Sequence, residues 1–379
     1  MKKFLACLSA ICICLAASAA ACAEAEDRLA TEPLTIEHEL KFGGVYLHMT
    51  IEDFRALGFE FGDSVDITFS SGQRVEDLPF YSGYYVKFNE PLLVGYPGYP
   101  YIDYAINNGP DAFNSLDLQE DCTAVVSLHE KGKYGSVQDA MDMVYSVDRA
   151  DFASDEIFAN FRPLTAGGIR ENFFYRSASP CDDSYNRASY ASRLCEREGI
   201  RFLLDLADDE AETEQYAQSG NPACTFWRKL QQEGKVLPLS LAANYRAEKF
   251  ASGVASALRA VLTEEGPFLV HCTEGKDRTG FFCLLVGALC GGTADELEQD
   301  YMITYDNFYG VSQSTAPEKY KAVRDLKFNE MLCFLCEVES VESITPEMLS
   351  GGAEQYLRFG GMNEEEIAQL RLVLTEKNN

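Results

Sequence analysis

The chain has 379 residues, 46% of them apolar, and a formal net charge of −28. That length leaves room for two ordinary domains with packed cores. The acidity argues against nucleic acid and against electrostatic docking to anionic membranes, and fits a soluble protein whose positive region is local.

Lys2-Lys3, the apolar run Phe4 to Leu15 and the small residues Ala16 to Ala25 form a secretory signal pattern. Residues 1–23 are therefore expected to be removed and the protein exported. The apolar run is short for a membrane span, and no transmembrane span follows it. Cys22 follows small residues and opens lipoprotein anchoring as an alternative, although Ala19 stands where such sites usually have leucine.

Residues 26–145 predict a small β-rich domain. Alternating segments such as Val65 to Phe69 and Tyr84 to Phe88 are separated by Gly, Ser, Asn and Pro signals, and Gly95 to Pro100 forms rigid turns. Tyr81, Tyr84, Tyr85, Tyr96, Tyr99, Tyr101 and Tyr104 suit aromatic packing in a β-barrel. The alternative is a surface for a ligand or partner. Gly62 to Ile67, Ala105 to Gly109 and Leu116 to Val126 resemble the C-terminal barrel of adenosyl chloride- or hydroxide-transferring enzymes. Their SAM-binding domain has no counterpart here, so no such activity is inferred.

From Asp148 strands alternate with helices. Residues 150–379 predict an α/β domain with a central, mostly parallel sheet flanked by helices. Asn186 to Glu198, Tyr245 to Leu262 and residues 317–338, 345–358 and 363–376 read as helices. Thr293 to Glu296 is a capping box, and Asn363 caps the last helix. Nine cysteines follow Cys22. Cys283 and Cys290 suit an apolar helix core. Cys333-Phe334-Leu335-Cys336 has redox spacing, but lies in an amphipathic run that suits a core helix face.

The most informative stretch is His271 to Gly280, His-Cys-Thr-Glu-Gly-Lys-Asp-Arg-Thr-Gly. Phe268 to Val270 predicts a buried strand before it, and Thr279 to Leu289 a buried helix after it. A strand, a loop and a helix N-terminus form an anion site from inward N–H groups and the helix dipole. The same field favours thiolate over thiol, so Cys272 should be nucleophilic near neutral pH. Arg278 supplies a planar fork for two phosphoryl oxygens. Thr279 can donate to the Cys272 sulfur as it leaves, and Gly275 and Gly280 let the loop curl. The loop from Thr273 through Glu274, Gly275 and Lys276 to Thr279 is the expected phosphate cradle.

This string resembles the active-site loop of protein tyrosine phosphatases, and Lys276-Asp277-Arg278 resembles the bacterial branch of atypical dual-specificity and lipid phosphatases. Phe174 to Pro180 is similar to the early Arg-Ser segment of that branch, and Ile200 to Leu206 to its strand ending in Asp-Leu. The resemblance covers roughly residues 150–375. It implies hydrolysis of phosphotyrosine, often phosphoserine or phosphothreonine, and sometimes phosphoinositides, with no metal and no cofactor.

The mechanism needs an acid for the leaving oxygen and then a base for water. Many tyrosine phosphatases carry that aspartate some tens of residues before the cysteine. Here no aspartate lies between Asp209 and Asp277, and Val236 to Leu241 is apolar. Asp277, inside the loop, is the first choice that the resemblance offers, and Asp205 supports or replaces it. Asp205 also suits a structural role as the partner of an arginine such as Arg176. Lys276 either adds a second charge beside the phosphate or pairs with Glu274 or Asp277.

The expectation is an exported, cysteine-dependent phosphatase with a phosphocysteine intermediate, acting on phosphoprotein or phospholipid. The alternatives are a phosphoinositide or inositol phosphate phosphatase, and a phosphate-binding module without turnover.

Overall fold

A computed structural model describes residues 29–376. The expected leader and Cys22 lie outside them. The chain divides into two compact units between Asp142 and Met143.

The first unit is a closed seven-stranded barrel. Its strands are β1 (Leu34–Glu39), β2 (Gly44–Leu47), β3 (Ser64–Phe69), β4 (Arg74–Tyr81), β5 (Pro91–Val94), β6 (Ile102–Ile106) and β7 (Thr123–Glu130). Their order around the barrel is β1-β2-β6-β5-β4-β3-β7, and β7 closes on β1. Alternation decides what lies inside: Leu34 and Ile36, Val45 and Leu47, and Ala124 and Val126 are buried while Thr35, Tyr46 and Val125 between them are not. The helix Ile51–Ala56, capped by Thr50, sends Phe54 into this core. Phe54 stacks on Phe59 at 4.1 Å and meets Phe80 edge-on at 5.0 Å.

Tyr84 to Phe88, expected as a strand, is irregular. The Asn107 side chain captures the Val86 and Lys87 carbonyls, at 2.8 and 3.3 Å, and the Glu90 carboxylate caps Lys87 N. These bonds hold the backbone in a turn, and Val86 packs with Tyr81, Leu92, Val94 and Ala105 in a second small cluster.

The second unit holds a five-stranded sheet in the order β11-β10-β12-β9-β8. The strands are β8 (Arg162–Pro163), β9 (Phe174–Ser177), β10 (Phe202–Asp205), β11 (Val236–Pro238) and β12 (Phe268–His271). β9, β12, β10 and β11 run parallel and β8 antiparallel. Every residue of β9, β10 and β12 is buried, as sheets covered on both faces require. Leu203, Leu269 and Tyr175 pack with Leu194 and Trp227 from helices Ala188–Arg197 and Thr225–Gln232. On the other face Phe174 stacks on Phe268 and on Phe282 of the helix Asp277–Leu289. That helix is buried from Thr279 to Leu289 and packs against Pro346–Phe359.

The helix expected over 317–338 forms as Pro317–Val323 and Asn329–Cys336, joined by one π-helical turn at Arg324–Phe328. No disulfide forms among the nine cysteines of the described residues. No helix there is long and apolar enough to cross a membrane.

Phe54→Ala should lower barrel stability by about 3–5 kcal/mol, because it empties a fully enclosed site between two rings. Chemical denaturation followed by tyrosine near-UV dichroism checks this; a loss below about 1 kcal/mol would mean that the site collapses without Phe54.

Candidate active site

The parallel register aligns Ser177, His271 and Asp205 at the carboxyl ends of β9, β12 and β10, where open α/β sheets place their ligands. Cys272 follows directly on the central strand and is 3% exposed. The next four residues loop over to the N-terminus of the helix Asp277–Leu289.

The loop's shape comes from donors outside it. Ser179 N donates to Thr273 O at 3.1 Å. Asn160 Nδ2 donates to Gly275 O at 3.2 Å and to Glu274 O at 3.5 Å. Arg176 Nη2 also donates to Gly275 O, at 2.8 Å. Each planar trans peptide carries its N–H opposite its C=O. Carbonyls held on one side therefore turn the N–H groups of Glu274, Gly275 and Lys276 to the other, the arrangement from which an anion nest is built. Gly275 has φ +67°, and a Cβ there would lie 2.1 Å from Ser177 O, so only glycine fits.

Arg176 is fully enclosed, and its partner is Asp300 rather than Asp205. Arg176 Nη1 donates to Asp300 Oδ2 at 2.5 Å, and Arg162 Nε to Asp300 Oδ1 at 3.2 Å. Thr304 and Asn160 accept further bonds from Arg162, at 3.0 and 2.6 Å. Burial alone would raise the Asp300 carboxyl, but the two guanidinium groups hold it below the usual carboxylate range. This network joins β8, β9 and the helix Ala294–Tyr309. Its members are far apart in sequence, and only Arg176 carried a signal, as part of the Arg-Ser segment.

Arg278 is half-buried. It donates to Leu241 O and to Thr273 Oγ1, both at 3.1 Å, so the apolar Val236 to Leu241 segment contributes a carbonyl that aims the guanidinium. The Thr279 hydroxyl is fully buried with no hydrogen-bond partner in this structure. Lys276 pairs with Glu274 at 2.9 Å and donates to Tyr309 Oη at 3.2 Å, while Tyr145 Oη donates to Glu274 at 2.5 Å. Burial works against the Lys276 charge, but Asp277 and Glu274 keep it protonated well above the usual lysine value. Lys276 is thus tied to Glu274, the second of the two roles its sequence position allowed.

The two acid candidates occupy opposite environments. Asp277 is 53% exposed on the first turn of the loop helix, 3.9 Å from Lys276 Nζ. Asp205 is sealed. Its Oδ1 accepts from Ala207 N at 2.9 Å and from Asp208 N at 3.1 Å, and His271 Nδ1 lies 3.8 Å away. Ligand atoms of Cys181, Asp205 and Asp208 lie within 4.8 Å of one another. Burial raises Asp205 to about 6; burial and then Asp205 raise Asp208 to about 7. Burial also lowers His271 to about 4, so its ring is neutral.

Asp300→Asn would leave two buried guanidinium groups without a counterion. It should cost about 3–5 kcal/mol, read by denaturation through Trp227, the one tryptophan of the chain. The Asp205–Asp208 pair has a pH signature. Carboxyls raised by folding hold extra protons between the ordinary 3.8 and about 7, so their stabilising share is lost as pH rises through that window. Asp208→Asn should therefore match the native chain near pH ~4 and exceed it in stability near pH ~8. A difference that does not change with pH would contradict the shared burial of the pair.

Residues 158–376 match the sequence profile described as "Tyrosine phosphatase family". No curated protein matches the chain. Among solved structures, the core catalytic domain of the PP-IP phosphatase SIW14 from S. cerevisiae, in complex with citrate, is 18% identical. It covers 47% of this chain and 91% of its own, with a TM-score of 0.27. A second structure of the Siw14 catalytic core is 16% identical over 51% of this chain and 94% of its own, with a TM-score of 0.28. A human DUSP28 variant is 14% identical over 52% and 95%, with a TM-score of 0.21. The profile spans more than half of the sequence and contains the whole Cys272 loop, its supporting network and its helix: the chain belongs to the tyrosine phosphatase family of cysteine-based phosphatases.

Proposed function

We propose that this protein hydrolyses phosphotyrosine, and also phosphoserine and phosphothreonine, through a phosphocysteine intermediate. The observation that carries the proposal is the capture of the Glu274 and Gly275 carbonyls by Asn160 and Arg176, which turns the Gly275 and Lys276 N–H groups to the opposite side of their peptides, as an anion-binding loop requires. Such preorganised donors stabilise the charge that spreads over the equatorial phosphoryl oxygens in the transition state.

The Cys272 thiolate attacks phosphorus while the bond to the leaving oxygen breaks. Arg278 and the loop amides hold the three remaining oxygens. Asp277 gives its proton to the leaving oxygen, and its carboxylate then takes one from the water that attacks the phosphocysteine. The Thr279 hydroxyl donates to the departing sulfur. Asp277 suits this exchange because its carboxyl stands open at the loop rim, where substrate and water arrive. Asp205 is enclosed and holds the Leu206–Asp208 turn beside the loop, which suits a positioning residue. Lys276 is paired with Glu274 instead of standing open as an extra cation for a multiply charged inositol headgroup. Export belongs to the same proposal and rests on the Lys2-Lys3 start and the apolar run behind it.

The reduced chain should release phosphate from a phosphotyrosine peptide faster than from a phosphoserine peptide or a phosphoinositide. Cys272→Ser should abolish turnover. Asp277→Asn should lower kcat on alkyl phosphates by about 10²–10⁴, and much less on an aryl phosphate whose leaving group needs no proton. Near-normal turnover of alkyl phosphates by Asp277→Asn removes it as the acid. Phosphate binding without release by the reduced native chain would establish the binding-module alternative, and a preference for inositol phosphates the lipid one.

A further inference from the structure

The barrel carries a buried charge that the phosphatase chemistry does not use. Glu37, Tyr46 and Asp103 form one cross-strand row over β1, β2 and β6, and Glu39 stands opposite Gly44 two residues along the same face. This row alternates with the interior residues Val45, Leu47, Ile102 and Tyr104, so it faces out of the barrel. An aspartate there would normally be solvated, yet Asp103 is 2% exposed.

Tyrosines cover it. Tyr84 and Tyr99 hydroxyls meet at 3.3 Å. Tyr99 lies edge-on to Tyr46 at 5.9 Å and against Tyr96 at 5.3 Å, and Tyr84 lies 6.1 Å from Tyr96. Gly44 makes room for the carboxyl: a Cβ there would sit 2.4 Å from Asp103 Oδ1. That oxygen has no hydrogen-bond partner. No lysine or arginine of the described residues forms an ion pair with Asp103 or Glu39. Burial, and then the charge of Glu39, raise Asp103 to about 7. Val45 N–H donates to the carboxyl, but its enclosed Oδ1 has no donor, which is costly for a carboxylate unless a cation completes it.

We propose that Asp103, with Glu39 beside it and Tyr46, Tyr84, Tyr96 and Tyr99 over it, binds a small organic ammonium cation such as a methylated amine. Aromatic faces attract such cations, and a buried carboxylate supplies the countercharge. A hard divalent metal needs six or more oxygen ligands or ordered waters, whereas this site encloses a single carboxylate among rings. The strong negative charge of the chain also concentrates cations around it.

Calorimetric titration of the full chain at constant ionic strength tests this, with tetramethylammonium, choline and 3,3-dimethylbutan-1-ol, the neutral counterpart of choline. Both cations should bind saturably and the alcohol should not. Asp103→Asn keeps the shape and should weaken the cations by about tenfold or more, with near-UV dichroism unchanged; Tyr99→Leu should weaken them several-fold. Affinity should rise as pH climbs through about 7, where Asp103 ionises. Glu39 faces Asp103 from β1, and burial raises Tyr46, Tyr84 and Tyr99, so their hydroxyls stay neutral meanwhile. The site is refuted by absence of saturable cation binding, by equal binding of choline and the alcohol, or by undiminished binding to Asp103→Asn.

Discussion

Beneath the Cys272 loop, Arg176 and Arg162 share the carboxylate of Asp300 in a space closed to water, and the direction of the Gly275 carbonyl depends on that pair. Two guanidinium groups and one carboxylate are expensive to bury, and such clusters often add little net stability. Their value here is positional. Arg176 can donate to Gly275 O only because Asp300 holds it from the other side, and Arg162 keeps Asn160 in place for the same carbonyl. Once that carbonyl is held on one side, the planar peptide turns the Lys276 N–H to the other.

The titratable groups around the strand ends divide by access to water. Cys181, Asp205, Asp208 and His271 are sealed behind the ends of β10 and β12, and burial moves each toward its neutral form. A neutral His271 under the loop avoids placing a mobile charge beside Cys272. Asp277 stands on the open side, where a carboxyl can exchange protons with a leaving group and with water. Two aspartates that look equivalent as strand-end and loop residues are thereby given opposite environments.

Much of the catalytic unit was legible as sequence because its signals are local. The ten residues from His271 to Gly280 contain the proposed nucleophile, the guanidinium, the glycine of positive φ and the helix start. Thr293 and Asn363 capped helices as their spacing implied, since a cap is decided within four residues. Local pattern misled where a distant group captured the backbone or the charge. Tyr84 to Phe88 alternates like a strand, but Asn107 bends it into a turn. Asp205 looked like a partner for Arg176, yet Asp300, more than a hundred residues from Arg176, has that place. The run from 317 to 338 reads as one regular helix and winds through a π turn at Arg324–Phe328.

By itself, the sequence determined the make-up of the loop, since Cys272, Gly275, Arg278 and Thr279 lie within eight consecutive residues. It also determined the alternating pattern from which a barrel can close, since side chains on a strand take opposite faces. The tertiary structure decided which groups are dry. It put Asp300 under the loop, sealed Asp205, opened Asp277 and enclosed Asp103 beneath tyrosines on a face that alternation alone would leave wet. Solvation is a property of what packs against a residue, and those neighbours come from remote parts of the chain.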